Sequence, residues 1–294
     1  MKILAAVNGS IDSFNTLKTA CLIAGKTNFS VLAFYVDKGD AYTPELTRWP
    51  FIQDRLSQEL KSLGDEVIRK AYAIGREMNV PVEGIISTGI PSDEILEYTR
   101  SHGIVKLIAM AHGSKGMGTQ QIAESTVKQV IVNGTTPVLV TSNAVDIKRI
   151  ILPINHIAPS NQSVRFAMQL AHSLCVPVKI LCTIPDIEAL LAEYGYVGNV
   201  FQIKERRSVQ HSERLYREQA AKTVEIVTQS LNALNVDAAS VIKKGDTVSE
   251  VIEEASKSDL ILLPHNEKKS EKKLSIIAGK LLDTSSLNAV FVHE

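Results

Sequence analysis

The densest set of chemically capable residues follows an apolar run at 105–110. There Met110-Ala111-His112-Gly113-Ser114-Lys115-Gly116-Met117-Gly118-Thr119 places three glycines within six residues. Lacking Cβ atoms, such a segment lets backbone N–H groups close on an anion. A helical pattern near 123–133 comes next, with Ser125 and Thr126 at its start. The free N–H groups of a helix start favour phosphate. The chemistry on offer is therefore phosphate binding. The loop is not a P-loop, because no Gly-Lys-Ser/Thr stands at the required spacing. Nor is it a dinucleotide fingerprint, whose glycines follow the first strand of the fold.

Other reactive residues invite weaker readings. His156 and His265 each follow an apolar run. If those runs are neighbours, the two imidazoles meet and could hold a metal or an anion. No third ligand has suitable spacing, so polar caps at strand ends account for both, and no metal site is assigned. Lys268, Lys269, Lys272 and Lys273 alternate with Glu267 and Glu271, the pattern of a solvated helix start. Ser10, Ser13 and Ser114 have no evident base or orienting acid. Asp93 and Glu94 fit first-turn helix acids that favour the dipole. No catalytic residue is assigned and an enzyme is not expected. The connection at 37–51, carrying Tyr42 and Trp49, is long enough to form a lid. Cys21, Cys175 and Cys182 have no metal-ligand spacing and read as buried thiols in a reducing compartment.

These residues need a frame to hold them. Short β-branched runs at 3–7, 30–36, 82–87, 105–110 and 137–141 alternate with amphipathic segments near 13–25, 52–78, 92–102 and 123–133. The alternation predicts a parallel sheet with helices on both faces. Runs at 149–154, 178–183, 237–243, 260–263 and 289–293 repeat the order, with a long helix near 199–235. The halves also echo each other in detail. Ile3-Leu4-Ala5-Ala6-Val7-Asn8 is matched by Ile150-Ile151-Leu152-Pro153-Ile154-Asn155, and Gly89-Ile90-Pro91-Ser92-Asp93-Glu94 by Gly245-Asp246-Thr247-Val248-Ser249-Glu250. Offsets of roughly 150 residues exceed the about 20–50 of solenoid repeats, so a whole domain is duplicated.

The expected domains are 1–143 and 148–294, joined by a short polar linker at 142–148. A length of 294 residues suits two domains. Lys+Arg number 14 against 15 Asp+Glu through Asp146, and 18 against 17 beyond it. Neither half has the basic excess of a nucleic-acid binder. No apolar stretch reaches the ~20 residues of a membrane span, and the opening residues lack a signal-peptide layout, so a cytoplasmic protein without membrane contact is expected. The apolar final runs would leave open edges in isolated domains. The two halves are therefore expected to pack as an intrachain pseudo-dimer by pairing or apposing those runs, and a homodimer is a further expectation.

Read in order, Ile3-Leu4-Ala5-Ala6-Val7-Asn8-Gly9-Ser10, Gly89-Ile90-Pro91-Ser92-Asp93-Glu94-Ile95-Leu96, Leu107-Ile108-Ala109-Met110 and Thr136-Pro137-Val138-Leu139-Val140 resemble the universal stress protein family, in a tandem two-domain form. The resemblance spans nearly the whole chain. It implies an α/β fold of two doubly wound five-stranded parallel-sheet domains, adenine nucleotide α-hydrolase-like, with strand order 3-2-1-4-5. It also implies a stress-response binding or regulatory role; a nucleotide hydrolase of the wider adenine-binding group is the alternative. Some members bind ATP through Gly-x2-Gly-x9-Gly-Ser/Thr after strand 4, with an aspartate after strand 1 and a residue ending strand 2 holding the nucleoside.

Carried over, the aspartate position is Asn8 and the strand-2 position is Tyr35 or Val36. Without gaps the motif glycines fall on Ala111, Ser114 and Glu124, with Ser125 at the Ser/Thr position. A two-residue shift restores Gly113 and Gly116 and leaves Thr126 at the third glycine. The implied contacts of an adenine nucleotide are Ala6, Asn8, Tyr35, Val36, Met110, Ala111, Gly113, Ser114, Gly116, Ser125 and Thr126. A carboxylate at Glu124 would oppose phosphate, so AMP or adenosine is expected to fit better than ATP, and Glu124→Gly to strengthen ATP binding. No other cofactor is implied. In the second half the segment 264–273 has no glycine, and Ile276-Ile277 replaces the Gly-Ser pair. That domain is expected to be structural or to bind something else.

Overall fold

The computed structural model describes residues 1–37, 50–112, 119–157, 161–193, 203–265, 276–282 and 287–293. Within it the side chains of 50–61, 119–125, 191–193, 203–207 and 276 are not described. Two compact units emerge. The first holds residues 1–146 together with 265–293; the second holds 147–264.

The first unit contains β1 (Lys2–Ala6), α1 (Ile11–Thr27), β2 (Ser30–Asp37), α2 (Pro50–Glu77), β3 (Val82–Thr88), α3 (Pro91–Ser101), β4 (Val105–Met110), α4 (Thr119–Asn133) and β5 (Val138–Val140). Its strand order begins β3-β2-β1-β4-β5, the expected 3-2-1-4-5, and each of those neighbours runs parallel. Ile3, Leu4 and Ala5 are fully buried, as a central strand covered on both faces requires. Helices α1 and α2 pack together, and α3 packs on α4. The ends of α1 follow from its sequence. Ser10 caps the N-terminus by accepting from the Ser13 N–H, and Asn28 adopts φ 56° just past the C-terminus, with its N–H on the Ala24 carbonyl.

The second unit contains β6 (Arg149–Asn155), α5 (Asn161–Leu174), β7 (Val178–Ile184), α6 (Ile187–Glu193), α7 (Ile203–Asn232), β8 (Ala238–Lys244), α8 (Thr247–Glu254) and β9 (Asp259–His265), whose last residue counts with the first unit. Its strands run β9-β6-β7-β8, again parallel and again the 3-2-1-4 order of the repeat. The repeat's remaining elements, α9 (Ile276–Leu282) and β10 (Asn288–His293), lie in the first unit. There β10 runs antiparallel beside β5, with Val290 opposite Leu139. The final strands of the two repeats thus pair, which covers the apolar edge of β5.

One local device recurs in both repeats. Gly89 (φ +151°) and Gly245 (φ +142°) take a backbone conformation that side chains disfavour. Their N–H groups donate to the carbonyls of Asp37 and Ile184, closing the turn that leads into α3 or α8. Five residues on, Glu94 accepts from the Ser87 hydroxyl, and Glu250 pairs with Lys243 at 2.8 Å. The echo of glycine and glutamate is therefore architectural.

Candidate functional site

The carboxyl ends of β1, β2 and β4 meet where the chain order reverses, the place where open α/β sheets hold ligands. Ala6 is level with Phe34 on β2, and Ala5 with Ala109 on β4. Register partners point to one face, so Ala6, Phe34 and Met110 share a side, and Val36 joins them by alternation. The ring of Phe34 lies 5.2 Å from that of Tyr98 on α3, which identifies the side as that of α3 and α4. Ala6 and Val36 are half-buried and Met110 is buried. Tyr35 points the other way. Its ring lies so close to Gly64 of α2 that a Cβ there would sit 3.1 Å from it. Burial and, secondarily, the nearby Asp37 carboxylate push its pKa up. Of the two strand-2 candidates, only Val36 shares a face with Ala6 and Met110.

Asn8 stands just beyond β1 and is exposed. Its side-chain oxygen accepts the Ser10 N–H at 3.0 Å, and its own N–H donates to the Ser13 hydroxyl at 3.4 Å. Because Ser10 supplies a donor there, the amide oxygen must face it, and the NH2 group points outward. Asn155 makes the same turn in the second unit, accepting from the Ile157 N–H at 3.0 Å. The hydroxyls of Ser10 and Ser13 are likewise occupied. Ser10 accepts from the Ser13 N–H, and the Ser13 hydroxyl donates to the Ser10 carbonyl at 2.8 Å. Neither is poised as a nucleophile.

Ala111 is half-buried and His112 buried directly after β4. Gly113, Ser114 and Gly116 lie outside the described residues, as do Tyr42, Trp49 and the lysines at 268–273. The helix that follows differs from expectation. Its first described residue, Thr119, is already helical, so it starts well before 123. An α-helix leaves free only the N–H groups of its cap and first three residues, here none beyond 121. The N–H groups of Ser125 and Thr126 are thus inside the helix, a turn beyond the groups that would face an anion. Thr126 is half-buried; the side chains of Glu124 and Ser125 are outside the described residues. Gln120 and Gln121 are good helix formers, which explains the early start.

The second unit is built differently at the matching places. Thr183 replaces Val36, and its hydroxyl lies 2.7 Å from that of Thr247 at the start of α8. The ring of His156 packs edge-on against Tyr216 at 4.7 Å, while Thr223 donates to its carbonyl. His265 is buried with its ring 6.1 Å from that of His293. The two histidines thus have separate aromatic partners. Among the described residues no group of three or more His, Cys, Asp or Glu could hold a metal ion. At the opposite end of the strands Arg149 grips Asp259 through two hydrogen bonds, at 3.1 and 2.6 Å. Burial acts to raise the Asp259 pKa, but hydrogen bonds from Arg149 and Ser256 and the Arg149 charge outweigh it and hold the carboxyl below its ordinary value. Sequence reasoning missed this pair, and the wide spacing of its members gave no signal.

The cysteines need one correction. Burial pushes the Cys21 and Cys182 thiols up to about 11, but Cys175 is exposed. With φ 54° it occupies, after α5, the left-handed position that Asn28 fills after α1. A residue at that position leaves the helix and faces solvent.

Comparison with known proteins places this geometry in context. Residues 1–142 match the model of the universal stress protein family. The chain is 27% identical over 141 residues to a universal stress protein of Methanocaldococcus jannaschii, covering 47% of this chain and 80% of that protein. It is 26% identical over 149 residues to the universal stress protein YxiE of Bacillus subtilis, covering 47% and 97%. The fold of the whole chain is similar to the crystal structure of a universal stress protein from Archaeoglobus fulgidus, with a TM-score of 0.68, 13% identity and coverage of 99% and 98%. A functionally unknown protein of Pseudomonas aeruginosa is similar at a TM-score of 0.61 and 16% identity, covering 99% and 92%. No described helix is long and apolar enough to cross a membrane.

Proposed function

Because this chain belongs to the universal stress protein family through residues 1–142, with the family's fold repeated in its second half, we propose that it is a stress-response binding protein whose first unit takes one adenine nucleotide. The reading rests on one observation: Ala6, Val36 and Met110 share a face at the carboxyl ends of β1, β2 and β4, the last of which leads in sequence into the glycine-rich segment. Together they offer an apolar slot at the switch point, suited to a flat purine. The outward NH2 of Asn8 offers hydrogen-bond donors at its rim. Thr183, turned into a hydrogen bond with Thr247, denies the second unit the same apolar slot.

Binding without turnover fits the commitment of Ser10 and Ser13 to capping α1. AMP and adenosine suit the site better than ATP, since Ser125 and Thr126, the positions that the family motif gives to phosphate, lie inside α4 and offer no free backbone donors. Titration calorimetry with AMP, adenosine and ATP tests this. One site per chain, weakest for ATP, is the expected result. Two equivalent ATP sites, or no binding of any of the three, would reject it.

A further inference from the structure

The buried hydroxyls on α1 are engaged beyond their own helix. Thr16 is fully buried, and its shorter contact, 2.7 Å, reaches the Thr141 carbonyl. Thr19, 1% exposed, donates to the Asn143 carbonyl at 3.0 Å and accepts the Val145 N–H at 2.9 Å. Asn15 donates to the Ser142 carbonyl, and Lys26 pairs with Asp146 at 2.7 Å. The segment 141–146 is thus laid along α1 by four residues, Asn15, Thr16, Thr19 and Lys26.

Thr141 is the centre of this network and is fully buried. Its N–H donates to the Met110 carbonyl at 3.2 Å, at the end of β4. Its hydroxyl accepts the Asn143 N–H and lies 2.7 Å from Oδ1 of Asn288, the first residue of β10. A hydroxyl carries one proton. The Asn143 carbonyl, at 3.1 Å, already accepts from Thr19, so the Thr141 proton goes to the nearer Asn288 oxygen. Donors and acceptors then alternate without conflict from Val145 through Thr19, Asn143 and Thr141 to Asn288. Such a chain strengthens its members. Three things meet at this hydroxyl and its backbone. They are α1, whose N-cap is Ser10, two residues after Asn8; Met110, which lines the proposed slot; and β10.

We propose that Thr141 is a positioning residue that couples the proposed nucleotide site to the docking of β10. The coupling deepens the nucleotide reading and rests on it for its purpose, though not for its test. Hydrogen exchange on the unliganded full-length chain decides it, comparing wild type with Thr141→Val, Thr141→Ser and Asn288→Ala. Asn288→Ala alters a residue of β10 and none of β4 or β5, yet it should speed exchange at 110–112 at least about tenfold along with that at 289–293. Thr141→Val should do the same, while Thr141→Ser, which keeps the hydroxyl, stays within about twofold of wild type. If Thr141→Val fails to fold, Asn288→Ala and the serine variant still decide the matter. Acceleration confined to 287–293 in Asn288→Ala would overturn the coupling, as would a serine variant that behaves like alanine at position 288. AMP titration is scored separately. A wild-type chain that binds no AMP removes the site reading, while the exchange pattern still settles the coupling.

Discussion

Thr19→Val isolates the hold of α1 on the linker. Valine keeps the shape of threonine but removes a hydroxyl that bonds both Asn143 and Val145. The two losses differ. Asn143 is exposed, so water can replace the donor to its carbonyl. Val145 is 8% exposed, so its N–H is left unpaired in a nearly dry place. An orphaned buried donor costs about 1–3 kcal/mol and the exchanged bond about 0.5–1.5, giving roughly 2–4 kcal/mol. For a unit of this size each kcal/mol lowers the melting temperature by about 2–4 °C, so a fall of several degrees is expected in differential scanning calorimetry. Thr27→Val is the matched control, because among the described residues that hydroxyl bonds only within α1, to Ile23 at 2.9 Å and weakly to Ala24. Proteolysis at 141–148 should also quicken in Thr19→Val and not in the control. If the two variants melt within about 1 °C of each other, the linker is not held as described.

Other outcomes follow from the same structure. Native chain should show one fast-reacting thiol, Cys175, and three after denaturation, counted with a chromogenic disulfide, because burial raises the other two thiols to about 11. Arg149→Leu should lower stability by about 2–4 kcal/mol at neutral pH by removing the charge that offsets the burial of the Asp259 carboxylate. The Asp259 pKa is depressed in the fold, so the pair's contribution is full above the ordinary aspartate value and is lost as pH falls through the folded one. The gap between wild type and Arg149→Leu in urea titrations should therefore narrow from about pH 5 downwards. Glu124 lies past the first turn of α4. Glu124→Gly should cost about 1 kcal/mol as a glycine within a helix and change ATP and adenosine affinity alike; a gain confined to ATP in parallel titrations would restore the electrostatic account.

Much of the frame was legible because strands buried on both faces leave unbroken apolar runs. Ile3–Ala5 and its echo Ile150–Leu152 mark the first strand of each repeat without ambiguity. The paired glycine and glutamate positions also announced themselves, although their purpose is to close a turn. Polar residues were harder. Thr16 and Thr19 sit on α1 where a helical pattern predicts solvent or neutral packing. They are buried because a distant backbone segment needs donors there, which no local spacing encodes. The membership of β10 in the first unit is likewise a long-range matter: its residues suit either neighbour, and pairing with β5 satisfies an edge almost 150 residues earlier. At the site, alternation along β2 separates Tyr35 from Val36, but only contact with α2 or α3 says which face each takes.

The most direct test of the central claim is where an adenine nucleotide lands. Amide chemical shifts of the full-length chain titrated with AMP should move at 6–8, 36–37 and 110–112, and stay in place at 153–155, 183–184 and 263–265. Shifts centred on the second set, or spread equally over both, would contradict a single site in the first unit.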